Sequence, residues 1–302
     1  AALVFMEMLE SGYASVGEFH YLHNQQGGKP YDNIAETSSR IFSAANQTGI
    51  GLTHLPVFYM QGDLNGEPLS QVQLRFGNNT DQYFRLLEQI EKEKKRSPED
   101  FMLGIAPHSI RAVSPDSLKE ILDSRSFGPV HMHISEQQKE VKDVQDKFGK
   151  SPVNWLMDNA SVDTRWCLVH ATHMIPDEII KIVDSGAVVG LCPITEANLG
   201  DGIFNGSTYV SFGGKYGIGS DSNIHISINE ELRMLEYSQR LFRKKRNLMT
   251  DTLGSLGESM YKNALRGGAQ ALSRNSGSIA EGQWADLLTL DSNAIAFYGS
   301  ID

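Results

Sequence analysis

The sequence predicts an α/β fold in which parallel strands form most of a distorted (β/α)8 TIM-type barrel, and three observations favour it. Short apolar runs alternate with amphipathic helical patterns, which is typical of a parallel sheet. Polar side chains that could carry chemistry lie at or just beyond the carboxyl ends of these runs, where a barrel places its active site. An open doubly wound sheet is the alternative, but the G-x-G-x-x-G turn expected of such a sheet does not follow the first run.

The apolar runs predict seven strands. They cover residues 14–23, 49–60, 101–110, 129–136, 165–173, 186–195 and 216–223. Helix candidates cover residues 34–46, 80–96, 115–125, 137–148, 175–184 and 229–246. Two of these helices have start signals, Ser114-Pro115 and Pro176-Asp177-Glu178. Because the chain opens inside an amphipathic helix without a cap or an initiator Met, we expect the natural chain to begin earlier and the barrel to lack its first strand here.

The last segment differs in character from the rest of the chain. Gly282 is predicted to make a turn between two short β-type runs within residues 278–299. We therefore expect residues 1–275 to form the barrel, with strands two to eight. Residues 276–302 are expected to begin the C-terminal part of a small accessory β domain.

Composition argues against several classes of partner. The 302 residues include 27 Lys and Arg against 37 Asp and Glu, a formal net charge of -10, which disfavours nucleic acid or an anionic membrane as the principal partner. No apolar run reaches the roughly 18 residues needed to span a bilayer. Cys167 and Cys192 both lie in apolar runs, which argues against a disulfide scaffold and predicts a reducing, cytoplasmic location. The basic residues within 240–246 are interpreted as a solvated helix end rather than a polyanion site.

Polar residues end several successive strands. They are Glu18, His20, His54, His108, His133, His170 and Asp221. A lone histidine on a strand is more often structural than functional. Because the carboxyl ends of barrel strands converge on one mouth, however, we expect these groups to meet within a few ångströms.

The segment HMHISEQ contains the best candidates for a metal ligand and a proton carrier. His131 and His133 share one face of a strand, and His133 is nearer its carboxyl end. We therefore predict that His133 is the ligand and that His131 is a buried structural residue. Glu136 could move protons, as a carboxylate does beside a metal-bound imidazole. The alternative is that Glu136 is an ordinary carboxylate in the first turn of the next helix, and the spacing alone does not decide.

Two later strand ends complete the set. In LVHATH, His170 ends the strand and is predicted to face the mouth, whereas His173 is interpreted as a surface residue in the loop. In IGSDSN, Asp221 could ligate a cation and accept a proton from water. The alternative for Asp221 is a turn cap, because Asp-Ser-Asn is also a turn sequence.

These residues, in this order, resemble the amidohydrolase superfamily of metal-dependent hydrolases and deaminases. The resemblance covers essentially the whole chain and implies a distorted barrel with an accessory β domain. The H-x-x-E pair at His133 and Glu136, followed by His170 and Asp221, matches the deaminase branch that binds one metal ion.

Four segments are further similar to the formiminoglutamate deiminases of that superfamily: GEFHYLHN, APHSIRAVSP, HISEQQKEV and CPITEANLGDG. The similarity implies conversion of N-formimino-L-glutamate and water to N-formyl-L-glutamate and ammonia, a step of histidine degradation. It also implies a homodimer with one divalent metal per subunit, Zn²⁺ or else Fe²⁺. Arg111 offers the bidentate fork that a substrate carboxylate prefers, and His108 and Tyr21 are expected to help it bind the glutamate part. The alternative for Arg111 is a surface loop charge.

The resemblance also implies a ligand set and roles. In the superfamily an H-x-H pair on the first strand supplies two metal ligands, and we expect that pair to lie before residue 1, so that His133 and Asp221 are the direct ligands here. Asp221 would accept a proton from water, Glu136 would pass protons to the leaving nitrogen, and His170 would stabilise the tetrahedral centre. The rival hypotheses are another deaminase or cyclic amidohydrolase, acting on imidazolonepropionate or an aminated heterocycle, and a non-catalytic barrel that binds ligands without metal.

Overall fold

The structure, a computed structural model, describes residues 1–95, 100–125, 127–250 and 254–295. The strands are β1 Ser15–His20, β2 Gly51–Phe58, β3 Met102–Leu103, β4 Ala106–Pro107, β5 Val130–Ile134, β6 Trp166–His170, β7 Val188–Leu191 and β8 Lys215–Ile218. The helices are α1 Ala2–Glu10, α2 Glu36–Thr48, α3 Thr80–Lys94, α4 Pro115–Ser124, α5 Gln138–Phe148, α6 Pro152–Asn159, α7 Pro176–Ser185, α8 Pro193–Leu199, α9 Gly206–Ser211, α10 Ile228–Arg243 and α11 Leu256–Ala271.

The strands form one parallel ladder. β1 pairs with β2, β2 pairs with both β3 and β4, and β5 to β8 pair in chain order. A parallel bridge between Ile105 and Val130 joins the strands β1 to β4 to the strands β5 to β8. The N–H of His131 donates to the carbonyl of Ile105 over 3.0 Å. Among the residues described, no strand pairs β8 with β1. This ladder, with helices between its strands, confirms the predicted α/β fold.

Each of the seven predicted runs contains a strand, and one of them is divided. The run 101–110 forms β3 and β4, which both pair with β2. Gly104 lies between them, and a Cβ at this position would come within 2.5 Å of the carbonyl oxygen of Pro129. The chain therefore approaches its neighbour too closely here for any larger residue.

The end of α11 fills the interior of the ladder at the amino ends of the strands. The hydroxyl of Thr53 on β2 donates to the carbonyl of Leu272, and Nε2 of His131 on β5 donates to the carbonyl of Ala271, at 2.8 and 2.7 Å. A Cβ on Gly17 of β1 would lie 2.8 Å from Leu272. Residues of β1, β2 and β5 therefore surround one shared interior, as barrel strands do.

Three predicted mouth residues lie instead on the outer face of the ladder. Nε2 of His54 is hydrogen-bonded to the hydroxyl of Ser38, and Nε2 of His20 to that of Thr37, both on α2. Glu18 lies 3.4 Å from His20 on the same face. The expectation that these three residues join the mouth is wrong. Side chains alternate along a strand, and being near the carboxyl end does not decide which face a residue takes.

The C-terminal segment up to residue 295 contains no strand. Trp284 donates its backbone N–H to the carbonyl of Asn275, and Arg274 forms ion pairs with Asp286 and Asp100. Residues 296–302 lie outside the described residues, so the accessory β domain and the division at residue 275 stay predictions. No helix among the described residues is long and apolar enough to cross a membrane.

Candidate active site

Three imidazole rings lie side by side at the carboxyl ends of neighbouring strands. His108 follows β4, His133 lies on β5 and His170 ends β6. The ring centroid of His133 lies 4.9 Å from that of His108 and 5.4 Å from that of His170. All three side chains are buried. The parallel strands therefore bring together residues that lie up to 62 positions apart in sequence.

His133 is held as a neutral imidazole. Its Nδ1 donates to the backbone carbonyl of His108 over 3.1 Å, which leaves the lone pair on Nε2. Burial, with the neighbouring His108 and His170, lowers the pKa of His133 well below its usual range. The ring of Phe19 packs against it edge to face, at 4.5 Å between centroids. A histidine that donates one ring N–H to a carbonyl and presents the other nitrogen is the usual form of a metal-binding histidine.

His131 has the structural role that the sequence predicted. Its hydrogen bond to Ala271 lies at the opposite end of the interior from His133. Burial lowers the pKa of His131 to about 4, so the ring is neutral and simply satisfies a buried carbonyl.

Glu136 and His170 face each other. Oε1 of Glu136 lies 3.8 Å from Nε2 of His170. Burial raises the pKa of the Glu136 carboxyl, and the charges of Asp201 and Asp221 act in the same direction, while His170 and Arg111 oppose it. A carboxyl with a raised pKa beside an imidazole is suited to carrying protons.

The backbone around Glu136 shows that it is not a helix residue. α5 begins at Gln138, and the first-turn carboxylate belongs to Glu140. Glu140 accepts the backbone N–H groups of Ser135 and Glu136 at 3.0 and 3.1 Å. Ser135 has a φ of 51°, a conformation that L-residues rarely adopt without such support. Glu140 therefore fixes the turn that presents Glu136 to the site.

The other ring nitrogen of His170, Nδ1, contacts a second carboxylate, that of Glu196. Nδ1 lies 3.2 Å from Oε1 of the buried Glu196, whereas Nε2 is buried without a hydrogen-bond partner among the described residues. Burial lowers the pKa of His170, but the bond to Glu196 and the charges of Glu136 and Asp221 outweigh it, so the pKa is raised overall. His170 also has a positive φ of 68° at the end of its strand.

Asp221 lies beyond the end of β8 with a φ of 48°. Its charge raises the pKa values of Tyr21, Glu136 and His170, so it lies close to the same mouth. The turn-capping role in this segment belongs to Asn223, whose side chain accepts the N–H of His225.

The three predicted substrate-binding residues lie on the other side of His133. The hydroxyl of Tyr21 and Nε2 of His108 are hydrogen-bonded at 3.1 Å. Burial, followed by the charge of Arg111, lowers the pKa of His108 to about 3. Arg111 is half-buried and forms no salt bridge with any described carboxylate.

The amidohydrolase family matches residues 1–301. This chain belongs to the amidohydrolase family.

Relatives of this amidohydrolase agree with the fold. The formimidoylglutamate deiminase of Pseudomonas aeruginosa is 48% identical over 97% of the chain, which spans 65% of that relative. The structure of an amidohydrolase from Brucella melitensis is 45% identical, with a TM-score of 0.90 over 94% of this chain and 64% of that one. An adenosine deaminase from Xanthomonas campestris with bound zinc is 21% identical, with a TM-score of 0.78 over 99% of this chain and 62% of that one, and shows likeness of fold alone.

No group of three or more His, Cys, Asp or Glu side chains among the described residues is arranged to hold a metal ion. His173 lies in the loop after β6, as predicted, where it is partly buried and Nε2 is hydrogen-bonded to the carbonyl of Asp201 at 2.7 Å.

Sequence reasoning did not single out Glu140 or Glu196. Both are buried glutamates near the start of a helix, in α5 and α8. A carboxylate there is favoured in any helix, so the sequence gives no sign that it also contacts the site. The available signal is position. Glu140 follows β5, which carries His133, and Glu196 follows β7, which pairs with the strand that ends at His170.

Proposed function

We propose that this amidohydrolase catalyses the hydrolytic deimination of N-formimino-L-glutamate to N-formyl-L-glutamate and ammonia. The observation that carries the proposal is the combination of the Glu136 and His170 pair with the guanidinium of Arg111, which forms no salt bridge within the described part of the chain. The pair suits transfer of protons to a leaving nitrogen, and the guanidinium suits an anionic substrate. The similarity to the Pseudomonas deiminase supports the same reaction.

A divalent metal, Zn²⁺ or Fe²⁺, fits the donors that are present. Nε2 of His133 retains its lone pair, and Asp221 offers a carboxylate, which together form a donor set that suits these metals. When bound, the metal would supply a Lewis acid and lower the pKa of water towards about 7. We infer that His133 and Asp221 are its ligands in this part of the chain.

The residues of the chain then divide the proton transfers. Asp221 accepts a proton from the attacking water as the new C–O bond forms at the formimino carbon. Glu136 passes one proton to the terminal formimino nitrogen, and the proton held by Asp221 supplies the second. The bond from carbon to this nitrogen then breaks and ammonia leaves, while the proton of the new hydroxyl group returns to Glu136 as the C=O bond forms. The imidazole of His170 lies beside Glu136 and stabilises the charge that develops at the tetrahedral carbon.

Arg111, His108 and Tyr21 bind the glutamate part of the substrate. Arg111 can pair with a carboxylate through two parallel N–H donors. The hydrogen bond between Tyr21 and His108 orders the two rings beside it. An aminated heterocycle would instead need a flat apolar slot, so the cation favours an acyclic acid.

The test measures turnover by the full-length protein: ammonia release from N-formimino-L-glutamate and from adenosine, and loss of the ring's ultraviolet absorbance for imidazolonepropionate, whose ring opening releases no ammonia. We expect the formimino compound to give the highest kcat/KM, with about one metal ion per subunit in the active protein. A higher kcat/KM on either heterocycle would overturn the substrate assignment, and a metal-free protein without turnover would favour a binding role. We further propose a cytoplasmic homodimer, which light scattering and cell fractionation of the full-length protein can check.

A further inference from the structure

The contact between Glu196 and His170 joins two buried side chains from different elements. Glu196 lies on α8, 26 residues after the end of β6, and its Oε1 is 3.2 Å from Nδ1 of His170. The same oxygen accepts the backbone N–H of Cys192 at 2.9 Å. Both side chains are at least 95% buried, so water does not compete for the contact.

This contact sets which nitrogen of His170 carries the proton. Oε1 of Glu196 already acts as an acceptor for the backbone N–H of Cys192, so Nδ1 is assigned as the donor to the same oxygen. Nε2 is then the nitrogen that faces the site, where it is buried without a partner among the described residues and lies 3.8 Å from Glu136. The unsatisfied atom points to a substrate group as its partner, because buried polar atoms rarely remain unpaired.

The local structure of α8 holds the carboxylate in place. Pro193 opens the helix, and Glu196 reaches back to the residue that precedes it, Cys192. His170 has a positive φ of 68°, so its backbone adopts a strained conformation at the same position. A carboxylate that is held in place and hydrogen-bonded to one ring nitrogen is the arrangement expected where an imidazole must keep one orientation.

We propose that Glu196 is the positioning residue of His170: its carboxylate keeps the proton on Nδ1, aims Nε2 at the substrate beside Glu136, and stabilises positive charge on the ring. Glu196 touches neither substrate nor metal in this assignment and acts only through the imidazole. A buried carboxylate bound to Nδ1 is known to act on a catalytic histidine in this way. The proposal rests on the proposed function, because it assigns a role within that site.

The chain offers a closely matched control in Glu178. It too is buried, lies in the first turn of a helix opened by a proline, and accepts a backbone N–H from the residue before that proline, Ile175, at 2.9 Å. No imidazole contacts Glu178 among the described residues. The substitutions Glu196→Gln and Glu178→Gln therefore make the same chemical change, and each leaves an amide oxygen that can accept the backbone N–H.

The experiment uses the full-length metal-loaded protein and N-formimino-L-glutamate. We expect Glu196→Gln to lower kcat by about 10- to 100-fold with KM changed less than about threefold, and Glu178→Gln to leave both near wild type. Nitrogen-15 spectra of histidine-labelled protein without substrate should show a proton on Nδ1 of His170. We expect its proton resonance to move upfield in Glu196→Gln and to stay in place in Glu178→Gln.

Three results would overturn the proposal: a Glu196→Gln kcat within twofold of wild type, an unchanged His170 resonance, or an equal loss in Glu178→Gln. The proposed function and the positioning role of Glu196 can fail separately. If the wild-type protein does not turn over the formimino compound, the proposed function fails, while the spectra still decide whether Glu196 sets the state of His170.

Discussion

The imidazole of His133 donates its Nδ1 proton to the backbone carbonyl of His108 over 3.1 Å. The bond fixes the ring with the lone pair of Nε2 available, and burial keeps the ring uncharged. His131, two residues earlier, makes a comparable bond to Ala271 at the other end of the interior. Two histidines on one face of a short strand therefore differ in role because they lie at different depths.

Replacing these two histidines should separate metal binding from stability. We expect His133→Ala to lower the metal content of the full-length protein at least about tenfold, because a ligand is lost. His131→Asn should leave metal content unchanged and lower the free energy of unfolding by about 1–3 kcal/mol, because the carbonyl of Ala271 loses its donor. Elemental analysis and urea unfolding measure the two effects. Equal loss of metal in both variants would contradict the assignment.

Glu136→Gln should abolish most turnover while leaving metal content nearly unchanged. The amide has nearly the same shape but cannot carry a proton, so we expect kcat to fall by about 10² to 10⁴. The exposed Glu120 on α4 supplies the control, since Glu120→Gln should retain wild-type kcat. A Glu136→Gln protein that keeps most of its kcat would remove Glu136 from the proton transfers.

Arg111→Lys should weaken substrate binding although the charge is retained. A lysine ammonium cannot reproduce the two parallel N–H donors of a guanidinium, so we expect kcat/KM to fall by about 10- to 100-fold, mostly through KM. Arg233→Lys, at an exposed position paired with Glu230, should change neither constant. A wild-type KM in Arg111→Lys would show that this side chain does not hold the substrate carboxylate.

Glu231 gives a prediction for the dependence of stability on pH. Burial raises the pKa of this carboxyl to about 7, above its usual 4.5. The folded protein therefore binds the proton more tightly than the unfolded chain does. The contribution of Glu231 to the free energy of unfolding is fully present below about pH 4.5 and is lost as the pH rises through 7. Glu231→Gln, which retains an acceptor for the N–H of Ile194, should remove this contribution.

The measurement is the urea midpoint of the wild-type and Glu231→Gln proteins at pH 5 and pH 8. We expect the wild-type protein to lose stability relative to the variant between the two pH values. A constant difference between the two proteins would show that Glu231 does not titrate in this range.

Much of the fold could be predicted because its signals are local. The start of α4 follows from Ser114, whose hydroxyl accepts the N–H of Ser117, and from the proline that comes next. Each apolar run is long enough to form a strand, but the division of one run at Gly104, where the chain lies close to Pro129, was not predicted. Short pairing segments depend on such neighbours, so their limits were beyond the sequence.

The candidate site could be predicted only in part. His133, Glu136 and His170 were found because each lies at or beyond the carboxyl end of a strand, and the fold brings such ends together. His20 and His54 satisfy the same rule and lie outside the site, because their side chains face α2.

By itself, the sequence determined the order of strands and helices, the parallel sheet and the strand ends at which chemistry is possible, since these depend on periodicity and on residues close in the chain. Only the tertiary structure decided which side of each strand faces the interior and which distant carboxylates hold the turns and rings in place. Contacts such as that of His170 with Glu196 depend on packing between separate elements, and no local pattern encodes the distance between them.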